Sequence, residues 1–348
     1  MTEEILVRVE GGMGVLSLNR PKAIHALNRA MVDGMTEALL RWRDDPAVGA
    51  VIIDHSEGRG FCAGGDIAFL RNSALNDDGV SGRKFFFDEY RLNHLIMTYE
   101  KPIVAFMDGI TMGGGVGIAD PARYRVATEN TRLAMPETGI GLFPDVGGGW
   151  FLSRMKGRLG QYLALTGARM DGSECLWAGS ATHYLPSAAI AEVKAKIAAN
   201  PGNIPAILHE AAAVPPEPKI AAQADDIARM FASDRYEDIL AALEADGSEF
   251  AAATLKALHA KSPQTCKVAL RQLATSLTLP DFAANMAMEY RICSRVLLRP
   301  DFAEGVRAVI VDKDNAPKWD PATPEGVTDE LLDAIFAPLP ENEEWSPL

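Results

Sequence analysis

The stretch IVAFMDGITMGGGVGIADPARYRVA, Ile103–Ala127, joins two short apolar runs through a glycine-rich turn. Ile103 to Phe106 and Tyr124 to Ala127 read as buried strands, and Gly113, Gly114 and Gly115 between them open a helix where backbone passes close to backbone. The same order occurs upstream. Met31 to Trp42 has apolar residues at helical spacing, Val48 to Ile53 is a β-branched run, and the loop GRGFCAGGD follows, ahead of a helix predicted over about Arg83 to Tyr99. Ile5 to Val9 and Val15 to Leu18 alternate on either side of Gly11-Gly12-Met13-Gly14, which predicts an opening β-hairpin. Strand, glycine loop and helix in alternation predict an α/β fold.

Beyond Arg154 the strand signals thin out and helical segments follow one another to Phe336. VPPEPK at 214–219 is a connector, and Ile220 to Leu243 reads as helices packed by one apolar stripe. This predicts an α/β core over residues 1–198 and a helical C-terminal region over 199–348, with an irregular tail from Asp320 to Leu348 around one short helix, Asp329 to Phe336.

With 348 residues, 48% of them hydrophobic and 23% charged, the chain has the balance of an ordinary globular protein. A net charge of −13 argues against nucleic acid or an anionic membrane as the main partner, so any phosphate site has to be local. Cys62, Cys175, Cys266 and Cys293 lie far apart, as reduced thiols of a cytosolic protein do. The opening residues resemble neither a signal peptide nor a transit sequence, and no apolar run reaches the ~18 residues of a membrane span.

The stretch MPETGIGLFPDVGGGWFLSR, Met135–Arg154, places Glu137 and Asp145 directly after Pro136 and Pro144 in a glycine-rich loop. Fixed φ before each acid aims both side chains, as acid, base or nucleophile chemistry requires. The plainer alternative is that Asp145 caps a helix beginning near Val146 and that Glu137 is a solvated loop charge. The loops AGGD, Ala63–Asp66, and GGG, Gly113–Gly115, each open a helix and leave amides unpaired; facing each other, the amides of Ala63 and Gly114 would form an oxyanion hole. Close packing alone also explains such glycines. Glu89 falls on the apolar stripe of Phe85, Leu92 and Ile96, so it faces inward, as either a structural partner or a functional acid. Walker, GxGxxG, GxSxG and HExxH patterns are absent, and the six histidines show no ligand spacing, so no metal is inferred. Cys62 reads as a small buried filler.

These segments, in order, resemble the crotonase (enoyl-CoA hydratase/isomerase) superfamily, and more closely its 3-hydroxyisobutyryl-CoA hydrolase branch. The resemblance rests on LNRPKAIHALN at 18–28, GRGFCAGGDI at 58–67, FFFDEYRLN at 85–93, GITMGGGVGIA at 109–119, PETGIGLFPDVGGG at 136–149 and RPDFAEGVRAVIVDKDNAPKW at 299–319. It implies a spiral of ββα units with a helical C-terminal region, and a CoA thioester held by the amides of Ala63 and Gly114. It further implies substrate contacts from Lys22, Ala23 and Ala26 on the segment that lines the adenine, from Asp66 and Ile67, and from Glu89 at the acyl end. Hydratases of this superfamily use two glutamates; here the first position is Gly117, only Glu137 remains, and Asp145 stands where hydratases usually have glycine. The resemblance therefore implies hydrolysis of 3-hydroxyisobutyryl-CoA with Glu137 as nucleophile or general base, Asp145 assisting, and no cofactor beyond the CoA of the substrate. Isomerisation of an enoyl-CoA is the alternative, a non-catalytic CoA-binding protein is a third, and assembly as a homo-oligomer stays open.

Overall fold

In the computed structural model, which describes residues 3–348, the chain crosses from one sheet to another at its short turns. The strands are β1 (Ile5–Glu10), β2 (Met13–Leu18), β3 (Ala50–His55), β4 (Gly60–Cys62), β5 (Ile103–Met107), β6 (Ile110–Met112), β7 (Tyr124–Ala127), β8 (Arg132–Ala134), β9 (Met170–Asp171) and β10 (His183–Tyr184). A large sheet has the order β1-β2-β3-β5-β7-β10 and a small one the order β4-β6-β8-β9. Only the β1–β2 hairpin and the β8–β9 pair are antiparallel. Three successive pairs, β3 with β4, β5 with β6 and β7 with β8, each give one strand to the large sheet and the next to the small one. The repeated turn is a spiral of strand pairs.

Helices fill the spaces between turns: α1 (Arg29–Arg43), α2 (Ile67–Asn76), α3 (Val80–Met97), α4 (Gly114–Ala119), α5 (Gly148–Ser153), α6 (Leu159–Thr166), α7 (Gly172–Ala178) and α8 (Ile190–Ala199). The remainder is helical: α9 (Ile204–Ala211), α10 (Ala224–Met230), α11 (Tyr236–Asp246), α12 (Glu249–His259), α13 (Pro263–Ser276), α14 (Phe282–Val296), α15 (Pro300–Val306) and α16 (Asp329–Phe336). Among the described residues no helix is long and apolar enough to cross a membrane.

Both faces of the large sheet are buried, as parallel strands require. Val51 and Ile53 of β3 join the main core, whereas Ala50 and Ile52 face a second cluster with Val193, Ile197, Ile204 and Leu208 of α8 and α9. That period of two is why β3 reads as one continuous apolar run. The predicted hairpin and the strand at Tyr124–Ala127 stand as expected, while β3 starts two residues later than predicted and α3 covers Val80–Met97 rather than Arg83–Tyr99. The small sheet was not anticipated, nor were β9 and β10 in the stretch expected to be helical. Strands of two or three residues are too short to show a period.

Candidate active site

The three parallel strands of the small sheet, β4, β6 and β8, lie side by side, so the loops leaving their C-terminal ends are neighbours. Those loops are Ala63–Gly65, Gly113–Gly114 and the 3-10 turn Glu137–Ile140. Adjacent loops at strand ends are where α/β sheets bind ligands. Here they enclose a cavity of about 70 Å3, to which α3 adds Phe85, Phe86 and Glu89 and the α5 approach adds Asp145 and Val146. A larger groove of about 450 Å3 between α11, α13 and the tail has Asp234, Lys267, Arg271, Glu325 and Asp329 in its walls and none of these loops.

Glu137, Asp145 and Glu89 are all buried, at 5%, 4% and 2% exposure. A Cβ on Gly113 would lie 2.8 Å from Glu137 Oε1, and one on Gly114 2.7 Å from Glu89 Oε1. The two glutamates thus flank the glycine pair, and any side chain there would collide with them. Burial, with Asp145 nearby, holds the carboxyls of Glu137 and of Glu89 well above the usual range. Burial also pushes Asp145 up to about 7, although the hydroxyl of Tyr90 donates to its Oδ2 at 2.8 Å and opposes the shift. Glu137 Oε2 and Glu89 Oε1 have no hydrogen-bond partner among the described residues. Buried carboxyls without partners are acceptors and proton carriers held ready for a ligand.

The predicted oxyanion pair needs a correction. The amide of Ala63 donates to Ile24 O at 2.9 Å and is not free. The amides of Gly64 and Gly65 have no acceptor among the described residues, and of the two it is the Gly65 nitrogen that approaches α4, 3.2 Å from the Cβ position of Gly114. The amide of Gly114, first in α4, is likewise unpaired, as helix starts are. Two free amides therefore face the cavity from adjacent loops, at Gly65 and Gly114.

Ile67 lines the cavity, but Lys22, Ala23, Ala26 and Asp66 do not. Lys22 and Ala23 are exposed on a 3-10 turn, Pro21–Ala23. His25 pins that turn: its Nδ1 accepts from the amide of Arg20 at 2.9 Å, which leaves the proton on Nε2 to donate to Glu57 O at 2.8 Å. Asp66 caps α2, accepting from Phe69 N, and pairs with Arg20. Cys62 lies under the loop with its thiol pushed up to about 12 by burial, unfit as a nucleophile.

Asp145 does not cap α5. Its side chain turns to Tyr90, and the amides of Gly147 and Gly149 are taken instead by Glu289 of α14, at 2.7 and 3.0 Å. Sequence reasoning missed Glu289 and Tyr90, although the stripe test that singled out Glu89 finds Glu289 too, between Phe282, Met286, Cys293 and Val296. It also missed the partner of Gly117. A Cβ at that position would stand 2.5 Å from Val146 Cβ, so Val146 fills the space a side chain would need. Val146 does so with φ +51, a costly conformation for a β-branched residue. Among the described residues no group of three or more His, Cys, Asp or Glu could hold a metal ion.

The family model described as enoyl-CoA hydratase/isomerase matches residues 13–336. The mitochondrial 3-hydroxyisobutyryl-CoA hydrolases of Gallus gallus and Homo sapiens are each 40% identical, covering 98% and 97% of this chain and 90% and 89% of their own. The crystal structure of a carnitinyl-CoA dehydratase from Mycobacterium thermoresistibile superposes with a TM-score of 0.94 at 41% identity, covering 99% of both chains. That of an enoyl-CoA hydratase from Rhodobacter sphaeroides gives 0.92 at 38%, again over 99% of both. The fold is crotonase-like throughout.

Proposed function

The chain belongs to the enoyl-CoA hydratase/isomerase family, and we propose that within it the protein hydrolyses 3-hydroxyisobutyryl-CoA to 3-hydroxyisobutyrate and CoA, a step of valine breakdown. The names of the relatives support hydrolysis and those of the two solved structures support dehydration or hydration, so the site has to decide. One observation carries the choice: Val146 occupies the space at Gly117, so the position where hydratases of the family carry their second glutamate holds no acid, and the other buried glutamate of the cavity, Glu89, comes from α3 instead. Adding water to an alkene needs both ends of the water held, and one carboxylate there does not do it. Opening a thioester needs one carboxylate, two oxyanion donors and a proton for the leaving sulfur.

The amides of Gly65 and Gly114 hold the thioester oxygen, each contributing on the order of 3 kcal/mol as negative charge develops there. Ionised Glu137 attacks the carbonyl carbon; the C–S bond breaks, Asp145 gives its proton to the departing thiolate, and water then splits the mixed anhydride to acid and free Glu137. In the variant route Glu137 takes a proton from a water that attacks directly. Both routes use a carboxylate made more basic by burial. Single turnover in 18O-labelled water tests the anhydride: label in Glu137 supports it, since water attacking the glutamyl carbonyl leaves its oxygen there, whereas label confined to the product fits direct attack by water or attack at the acyl carbonyl. Asp145 also anchors the substrate hydroxyl, and Glu89, whose carboxyl burial holds well above the usual range, shapes the acyl end.

Size supports a short acyl group. A cavity of about 70 Å3 has no room for a long acyl chain. Lys22 and Ala23, exposed on their pinned turn, and Ala26 and Asp66 beside it lie on the route for the CoA nucleotide. A location in the cytosol fits four buried, unpaired cysteines, although the animal relatives are named mitochondrial. The test is a panel of short acyl-CoAs scored for both free thiol and enoyl absorbance. Thiol release, fastest with 3-hydroxyisobutyryl-CoA, is expected; absorbance change without thiol points to the isomerase or hydratase reading.

A further inference from the structure

We propose that Glu289 is a positioning residue that keeps Asp145 in the active site by occupying the amides Asp145 would otherwise cap. The inference rests on the reading that Asp145 serves the substrate. Aspartate characteristically accepts from the amide two residues on and, at a helix start, from those that follow. For Asp145 these are Gly147 and the first residues of α5. Left alone, the turn Pro144–Gly149 favours a capping aspartate, which is how it reads in sequence.

The structure shows that outcome blocked. Glu289, fully buried on α14, accepts from Gly147 N with Oε2 and from Gly149 N with Oε1. Its own aim is fixed by Asn285 Nδ2 at 2.9 Å and Gln272 Nε2 at 3.0 Å, and Gln272 also donates to Pro144 O at 2.7 Å. The clamp thus grips the turn before and after Asp145. Gly149 is confined by it, since a Cβ there would lie 2.9 Å from Gln272 Nε2 and 3.0 Å from Glu289 Oε1. With those amides occupied, the Asp145 carboxyl swings to Tyr90 and the cavity, and the turn pays with consecutive left-handed residues, Val146 at φ +51 and Gly147 at φ +92. The C-terminal helices thereby act on the reaction without touching substrate.

A capping Asp145 would be a different acid from the present one. The titratable groups around it are Tyr90 and Glu89 from α3, Glu137 from the 3-10 turn, and Glu289 and Cys293 from α14, with no cation paired to it. Two backbone donors would hold its carboxylate ionised, so the shift of its titration reports where the side chain is.

The test uses Glu289→Gln in the full chain, since one amide oxygen cannot take both backbone donors. Its kcat/KM is expected to fall about 10-fold or more, and the Glu289→Gln, Asp145→Asn double variant to be no slower than Asp145→Asn alone. Losses that multiply in the double variant would make Glu289 a general scaffold and overturn the proposal. Asn285→Ala keeps the Glu289 charge but loosens its aim, and so stands in if Glu289→Gln fails to fold. In it the 13C-detected titration midpoint of Asp145 is expected below that of the parent, and an unmoved midpoint contradicts the proposal. Should Asp145→Asn keep full activity, the catalytic reading of Asp145 fails, and the Asn285→Ala midpoint alone decides whether Glu289 holds that side chain in place.

Discussion

Asp66 and Asp145 stand in turns that look alike in sequence, each an acid beside glycines at the start of a helix, and they do opposite things. Asp66 accepts from Phe69 N, caps α2, pairs with Arg20 and is partly exposed. Asp145 is buried, leaves α5 to Glu289 and points to Tyr90 and the cavity. The difference lies in what else can reach the helix amides. Among the described residues Asp66 is the side chain that accepts from the first amides of α2, whereas α14 brings a carboxylate directly onto α5. An aspartate at a helix start is thus made functional by a residue far away in sequence.

Breaking the comparison at Asp145 has the largest expected consequence. Asp145→Asn is expected to lower kcat/KM for thiol release by about 100-fold, the lower range for loss of a positioned acid, while thermal stability holds or rises because a buried carboxyl is neutralised. A large stability loss without a rate loss would make Asp145 another Asp66. Tyr90→Phe removes the one side-chain hydrogen bond to Asp145 and is expected to cost about 10-fold in the same assay. Because that bond opposes the upward shift of Asp145, and Asp145 must hold its proton to give it to the thiolate, the basic limb of the rate profile should move to higher pH.

Asp66→Ala sharpens the other side. Loss of a cap costs about 1 kcal/mol of stability, measurable by denaturant titration, and because Asp66 lies by the CoA route and not at the reacting carbonyl, any change in turnover is expected in KM and not in kcat. The smallest effect is in the pH dependence of stability. Asp145 and Glu289 both titrate near 7 in the folded protein, above their unfolded values, so between about pH 4 and about pH 7 the folded form binds more protons than the unfolded one. Stability conferred by these groups is therefore fullest below the unfolded values and declines as pH rises through that window. Asp145→Asn should flatten the decline, and an unchanged slope would mean that its carboxyl is not shifted.

Much of this was legible because it is local. β3, β5 and β7 are apolar runs of four to six residues flanked by turns, and Glu89 declares itself by sitting on the stripe of one long helix. What failed to read was nonlocal or too short. The small sheet consists of two- and three-residue strands, so the alignment of its loops has no periodic signature. The choice between Ala63 and Gly65 depends on which amide meets Ile24 O, a contact some forty residues away in the chain. The cap on α5 comes from Glu289, about 140 residues downstream. Gly117 could be seen as a missing acid, but not that Val146 fills its place.

The central claim, that one buried glutamate beside two free amides opens a thioester, is tested most directly by the initial rate of free thiol release from 3-hydroxyisobutyryl-CoA by the parent and by Glu137→Gln. Turnover in the parent with a loss of about 1000-fold or more in the folded variant is the predicted result. Equal rates in the two proteins, or no thiol from either, would contradict it.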